Sequence, residues 1–143
     1  MVIEFFPASQ IARIEDAVQL IDQVGGPDVA GINVDLLHLM RSGGSIAQLA
    51  AIPAEYIGYA QLCDGPAQCA DENAPSEASF ERLLPGEGDF DMAGFLAVLP
   101  PDCPISVETP RRSDMDSGRS PLDRARSAAD GARRIMQAAA KLG

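Results

Sequence analysis

The chain alternates short apolar segments with amphipathic segments four times, and this alternation is the feature that most limits its fold. The apolar segments are rich in β-branched residues and lie between breakers such as proline and glycine. They are predicted as strands over residues 2–6, 29–36, 56–62 and 105–109. Strands that are apolar on both faces and separated by helices are typical of a parallel sheet covered by helices. The predicted fold class is therefore α/β, with four βα units in a single domain over residues 1–143.

Helical periodicity and local breakers predict the connecting elements. Apolar residues at helical spacing predict a helix over 14–24, which Gly25, Gly26 and Pro27 close. Ser45 is placed to cap a short helix through about Ala51. Further helices are predicted from Asp91 to the prolines at 100–101, and from Ser120 to Leu142. The polar segment 65–88 is predicted as a loop, and loops longer than about 15 residues are usually functional or mobile.

The length of the chain limits how this sheet can close. A barrel of eight parallel strands needs about 250 residues, and this chain has 143. It is therefore either a small open α/β sheet or half of a barrel. A half barrel leaves two strand edges unpaired, which is a liability for a monomer. We expect such a chain to form a homo-oligomer or to pair with a separate half barrel.

Charge and hydropathy exclude several classes of partner. The 21 acidic residues outnumber the 11 basic ones and give a net charge of -10, which repels nucleic acids and anionic membranes. No apolar run approaches the roughly 20 residues of a membrane span, and the first residues lack the basic region of a signal peptide. The cytoplasm is the expected location. Three cysteines without zinc-knuckle spacing indicate neither a disulfide framework nor a thiolate metal site.

Each of the four predicted strands carries an oxygen ligand at or near its carboxyl end. These residues are Glu4, Asp35, Gln61 and Glu108. In α/β sheets and barrels that end is where ligands bind. Burying three carboxylates together is costly without a counter-charge, and a divalent cation removes this cost. The pattern predicts a metal site for Mn²⁺, with Mg²⁺, Co²⁺ or Zn²⁺ as alternatives.

Other polar residues are candidates for contact with a substrate. His38 lies three residues after Asp35, where it could reach a substrate oxygen or act as an additional ligand. Arg41 and Arg82 could pair with a phosphate or carboxylate of the substrate, or could be solvated surface residues. Arg111 and Arg112 are open to the same two interpretations.

Several segments together carry a family resemblance. They are Ile3-Glu4-Phe5, Gly31-Ile32-Asn33-Val34-Asp35 followed by His38, Ile57 to Asp64, Leu84-Pro85-Gly86-Glu87-Gly88, and Ile105-Ser106-Val107-Glu108. In this order they resemble the sugar phosphate isomerase/epimerase family of xylose isomerase-like TIM barrels. The resemblance covers nearly the whole chain and corresponds to strands five to eight, so the sequence looks like the carboxyl-terminal half of that barrel.

The resemblance implies a metal site and a reaction. It implies metal ligands at Glu4, Asp35, position 61 and Glu108, with Gln61 departing from the family's histidine. The bacterial 3-dehydroshikimate dehydratases of the same superfamily resemble this chain in having glutamine there. The implied reaction is proton abstraction next to a carbonyl of a carbohydrate or keto acid, with Glu4 or Glu108 as the base and His38 positioning or protonating the oxygen. Passage through an enediolate gives isomerisation or epimerisation, whereas loss of a β-hydroxyl gives dehydration.

Two interpretations of other classes remain. The chain could be a non-catalytic half-barrel remnant that keeps a metal site. It could also be a small flavodoxin-like domain that binds a small molecule. Nucleotide binding is weakly indicated, because Pro7-Ala8-Ser9-Gln10 lacks a glycine-rich loop. Gly43-Gly44-Ser45 precedes a helix without a P-loop lysine and is interpreted as a turn.

Overall fold

A computed structural model describes residues 1–70 and 72–141. Its strands are β1 (Val2–Glu4), β2 (Gly31–Asp35), β3 (Ile57–Leu62) and β4 (Ile105–Val107). Its helices are α1 (Ile14–Val24), α2 (Leu36–Arg41), α3 (Ile46–Ala50), α4 (Ala74–Phe80), α5 (Met92–Val98), α6 (Arg112–Asp116) and α7 (Pro121–Ala139). A single 3₁₀ turn, Ala54–Tyr56, leads into β3.

The four strands form one parallel sheet in the order β1-β2-β3-β4. This order confirms the predicted α/β class. It also disagrees with a flavodoxin-like arrangement, in which the first strand lies inside the sheet. Here β1 pairs only with β2 and lies at an edge of the described sheet.

The chain divides into two compact units, which are described separately. The first contains residues 1–61 and 98–106, and the second contains residues 62–97 and 107–143. Apolar residues of β2, β3 and α1 contribute to the core of the first unit; Ile14, Ala17, Ile21, Ile32, Val34 and Ala60 are at most 1% exposed. Phe95 and Leu62 are fully buried in the second unit. The prediction of a single domain stays a prediction.

Helix α1 begins and ends where the sequence pattern places it. The Asp16 carboxylate accepts hydrogen bonds from the backbone N–H groups of Ala12 and Arg13, which have no partner inside the helix. At the other end Gly25 has a φ of +117°, a left-handed conformation that glycine adopts without steric cost. The same capping logic holds at Ser45, whose hydroxyl accepts from the Gln48 N–H at the start of α3.

Three helices were not predicted. Helix α2 follows β2 without a loop, α4 lies inside the segment 65–88 predicted as a loop, and α6 follows β4 closely. Each has five to seven residues, too few to establish a helical period in the sequence. The predicted end of the last helix at Leu142 lies outside the described residues, and α7 ends at Ala139.

The prediction that the strands are apolar on both faces was wrong. Strand β1 is an edge strand, so Val2 is 47% exposed, and the Glu4 side chain is 40% exposed. Side chains alternate along a strand, so Ile32 and Val34 share one face of β2, and Asn33 and Asp35 share the other. Register pairs Glu4 with Asn33, Asn33 with Tyr59, and Asp35 with Gln61. The second face is therefore polar, and it carries the candidate site.

None of the described helices has both the length and the hydropathy needed to cross a membrane.

Candidate metal centre

Three predicted residues meet at the carboxyl ends of β1 and β2 in the first unit. Glu4, Asp35 and His38 each offer one ligand atom, and these three atoms lie within 4.8 Å of one another. Asp35 is fully buried and His38 is 5% exposed, whereas Glu4 remains open to solvent. The cluster is therefore buried on the β2 side and accessible on the β1 side.

Local structure fixes these positions. Asp35 ends β2 and caps α2, and its Oδ1 accepts a hydrogen bond of 3.0 Å from the His38 backbone N–H. This cap starts the helical turn that places the His38 ring beside Asp35. The Phe6 ring contacts the imidazole edge to face, with centroids 4.8 Å apart. On the β1 side, His38 Nε2 lies 3.8 Å from Glu4 Oε1.

The donor atoms of this cluster suit a divalent cation. Two carboxylates this close repel each other in a partly buried site, and a cation or a protonated imidazole relieves that repulsion. Carboxylate oxygens with one imidazole nitrogen fit Mn²⁺, Mg²⁺ or Zn²⁺. His38 lies close enough to Glu4 and Asp35 to act as an additional metal ligand. Its contact with a substrate oxygen stays a prediction.

Gln61 is placed next to this cluster by strand register. Its Cα pairs with that of Asp35 across β2 and β3. The Gln61 Oε1 accepts a hydrogen bond of 2.5 Å from the Nδ2 of Asn33. Sequence reasoning missed Asn33, because an asparagine within an apolar strand has no motif of its own.

Glu108 belongs to the second unit, where it faces a buried arginine. Its backbone N–H donates to the Leu62 carbonyl, and its Oε2 lies 3.8 Å from Arg82 Nη1. Arg82 is only 2% exposed, and its Nε donates to the Ala78 carbonyl at 2.9 Å. The solvated interpretation of Arg82 was therefore wrong. The joint action of Glu4, Asp35, Gln61 and Glu108 as one metal site stays a prediction.

The remaining arginines differ in their surroundings. Arg111 donates to Glu87 Oε2 at 2.5 Å, and the Arg112 guanidinium lies 4.0 Å from the centroid of the Phe80 ring. Both are thus engaged in contacts within the second unit. Arg41 ends α2 and is half-buried, and its role toward a substrate stays a prediction.

Asp64 is a buried carboxylate with a structural role, which sequence reasoning also missed. It is 1% exposed, and its two oxygens accept four backbone N–H bonds of 2.8–3.2 Å. The donors are Gly65, Gly86, Gly88 and Phe90. Gly86 has a φ of +90°, and a Cβ on Gly88 would lie 2.5 Å from Asp64 Oδ1. The Leu84 to Gly88 motif is therefore a loop wrapped around one carboxylate.

An open cleft of about 460 Å³ lies in the second unit. It is lined by Glu108, Arg111, Asp114, Arg124 and apolar side chains from β4 and α7. The Arg124 Nε is buried and has no hydrogen-bond partner among the described residues. The cleft gives Glu108 access to a small molecule.

Two titratable groups of the first unit are held in their neutral forms. The hydrogen bond from the Tyr56 hydroxyl to Asp22 raises the pKa of Tyr56 above its ordinary value of 10.0. Burial raises the pKa of the Cys103 thiol. A thiol with a raised pKa is a poor nucleophile at neutral pH. Cys103 is therefore unsuited to thiolate chemistry.

Comparison with known proteins identifies the class of fold. The model of the xylose isomerase-like TIM barrel family matches residues 1–138. The chain belongs to this family, which confirms the resemblance inferred from its motifs.

Two curated relatives carry the name of a specific enzyme. The chain is 33% identical over 84 residues to a protein of Pseudomonas aeruginosa named 3-dehydroshikimate dehydratase. It is 32% identical over 80 residues to one of Pseudomonas putida with the same name. These matches cover 59% and 56% of this chain but only 12% of each relative.

Solved structures agree on the fold. A xylose isomerase-like TIM barrel/4-hydroxyphenylpyruvate dioxygenase fusion protein matches 92% of this chain and 20% of its own, with 26% identity and a TM-score of 0.73. The IOLI protein, solved with a bound zinc atom, matches 92% of this chain and 47% of its own, at 20% identity and a TM-score of 0.71. A xylose isomerase domain protein from Alicyclobacillus acidocaldarius matches 95% and 50%, at 22% identity and a TM-score of 0.67.

Proposed function

We propose that this chain provides part of a divalent-metal site in an enzyme that removes a proton next to a carbonyl group. The observation that carries the proposal is the cluster of Glu4, Asp35 and His38, whose ligand atoms lie within 4.8 Å of one another. Mn²⁺ is the proposed ion, with Gln61 and Glu108 as further ligands and the cytoplasm as the proposed location. A bound divalent ion supplies Lewis-acid stabilisation of the oxygen on which negative charge develops.

The chain's own residues would handle the protons. Glu4 lies at the open side of the cluster, so its carboxylate can accept a proton from the carbon next to the carbonyl. His38 is held by Phe6 and by the start of α2, and it would hold a proton at the substrate oxygen. Glu108, beside Arg82, would return the proton or act as the base in its place. Arg41 and Arg82 are proposed to bind an anionic group of the substrate.

Dehydration of a keto acid like 3-dehydroshikimate is the first candidate reaction. The names of the two curated relatives support it, as does glutamine at position 61. In this reaction the carbon next to the carbonyl loses a proton, the neighbouring C–O bond breaks, and the hydroxyl leaves as water. Isomerisation or epimerisation of a sugar or sugar phosphate is the second candidate, which the family's fold supports.

We expect the protein with Mn²⁺ to convert 3-dehydroshikimate to a product with new ultraviolet absorbance, because dehydration extends conjugation. Proton exchange with D₂O, followed by NMR on keto acids and sugar phosphates, detects the shared first step. Glu4→Gln should lower either rate at least about 100-fold, since loss of a general base costs about 10²–10⁴-fold. Protein that binds Mn²⁺ but gives neither product nor exchange would contradict catalysis and favour a non-catalytic metal-binding remnant.

We further propose that the sheet edges are completed by a second half barrel, provided by another copy of this chain or by a separate one. Strands β1 and β4 are the ends of the described sheet order, and the chain spans about half of two solved relatives. Unpaired parallel edges attract further strands.

In sedimentation experiments we expect a species of about twice 15.1 kDa. Val2→Lys on β1 should raise the dimer dissociation constant about tenfold or more, because a lysine at a strand edge opposes pairing. Val24→Lys on α1 is the matched control, since both valines are 47% exposed. A monomer at all concentrations, without a partner half, would contradict this proposal.

A further inference from the structure

Asn33 is a buried polar residue in the middle of β2. It is 7% exposed, and it shares the polar face of the sheet with Asp35 because it lies two positions before Asp35 in the strand. Its Nδ2 donates to Gln61 Oε1 at 2.5 Å. Its Oδ1 is buried and has no hydrogen-bond partner among residues 1–70 and 72–141.

This arrangement lowers the stability of the folded state, so a role in packing alone does not explain it. Asparagine is depleted in strands, and a buried amide oxygen without a hydrogen bond destabilises the folded state. The neighbours Ile32 and Val34 show that this strand carries apolar side chains where it packs against the core. The contact that Asn33 does make is with Gln61, 28 residues away in sequence. We therefore examine what this hydrogen bond does to the Gln61 side chain.

We propose that Asn33 is a positioning residue that orients the carboxamide of Gln61 toward the metal site. The inference rests on the proposed metal-dependent function. A glutamine side chain has several free torsions and can present either its oxygen or its NH₂ group, of which only the oxygen is a ligand. The Nδ2 donor of Asn33 selects the oxygen end and restricts the torsions. A carbonyl oxygen has two lone pairs, so it can accept this hydrogen bond and still bind a cation.

Loss of such a supporting hydrogen bond typically weakens metal binding about 10–100-fold. We therefore expect Asn33→Ala to raise the dissociation constant for Mn²⁺ about tenfold, measured on the full chain by calorimetry and by the Mn²⁺ electron paramagnetic resonance signal. If Asn33 acts through Gln61, the same substitution in a Gln61→Ala background should change the constant less than twofold. Asn33→Leu, which fills the same volume without a donor, repeats the measurement should the alanine variant fail to fold.

The outcomes separate this inference from the proposed function. A tenfold loss that disappears in the Gln61→Ala background supports the positioning role. An unchanged dissociation constant, or equal losses in both backgrounds, overturns that role and leaves the metal site standing. A wild-type protein that binds no Mn²⁺ overturns the proposed function and this inference with it.

Discussion

Replacing Asp64 by asparagine is expected to lower the free energy of unfolding by about 3–5 kcal/mol. The Oδ2 of Asp64 accepts from the backbone N–H groups of Gly86 and Gly88, and Oδ1 accepts from those of Gly65 and Phe90. Asparagine replaces one acceptor by an NH₂ donor, so two buried N–H groups would face another donor. Urea denaturation followed by circular dichroism measures the loss.

Asp89→Asn is the matched control for this variant. Asp89 lies in the same part of the chain, but it is exposed, and its Oδ2 accepts a hydrogen bond from the Ala67 N–H. Surface substitutions of this type usually change stability by no more than about 0.5 kcal/mol. Losses of equal size in the two variants would show that the buried carboxylate does not organise the loop around it.

Asp64 also illustrates what sequence reasoning can and cannot find. At the sequence level it is one more acid near the end of a predicted strand, like Asp35. Three of its four hydrogen-bond donors lie more than 20 positions away, and their N–H groups converge on it only after the loop has folded. The Gly86 and Gly88 positions hint at an unusual turn, but glycines alone do not indicate which carboxylate the turn surrounds.

Helices could be predicted where local sequence signals were long and unambiguous. Helix α1 could be predicted to the residue, because its apolar period is long and Gly25 ends it. Helix α4 could not be predicted, because Pro75 and three polar residues among its seven are typical of a loop. Only the structure shows that Glu77 and Ala78 are buried there. Helix α2 was hidden because Asp35 both ends a strand and caps a helix. In the sequence Asp35 indicates only the end of the strand, so the helix that it also caps was not predicted.

The candidate site shows the same division. Glu4, Asp35 and His38 could be predicted, because strand ends of a parallel sheet meet at one edge. The contact between Asn33 and Gln61 could not, since it depends on the register between β2 and β3, which shifts between Ile32 and Asn33. A one-residue change of register would place the two amides on opposite faces.

Asp35→Asn is expected to remove most of the metal-dependent stabilisation while leaving the fold intact. Asparagine is as good a helix cap as aspartate, so the bond to the His38 N–H that starts α2 can be kept. The substitution removes one negative charge from the buried side of the cluster, where it attracts a cation most strongly. We therefore expect the Mn²⁺ dissociation constant to rise about 100-fold or more, at the upper end of what even supporting residues cost.

Thermal unfolding measures this change without any substrate. At a Mn²⁺ concentration 100 times its dissociation constant, the wild-type protein should gain about 2.7 kcal/mol, whereas a variant that binds 100-fold more weakly should gain only about 0.4 kcal/mol. Asp28→Asn, which removes the same charge from an exposed position of the first unit, should keep the full gain. If Asp35→Asn kept the full gain in stability, or if both variants lost the gain equally, the stabilising cation would bind elsewhere on this acidic protein. Loss in the Asp35 variant alone places the cation at the carboxyl end of β2, where the buried carboxylate meets His38 and Glu4.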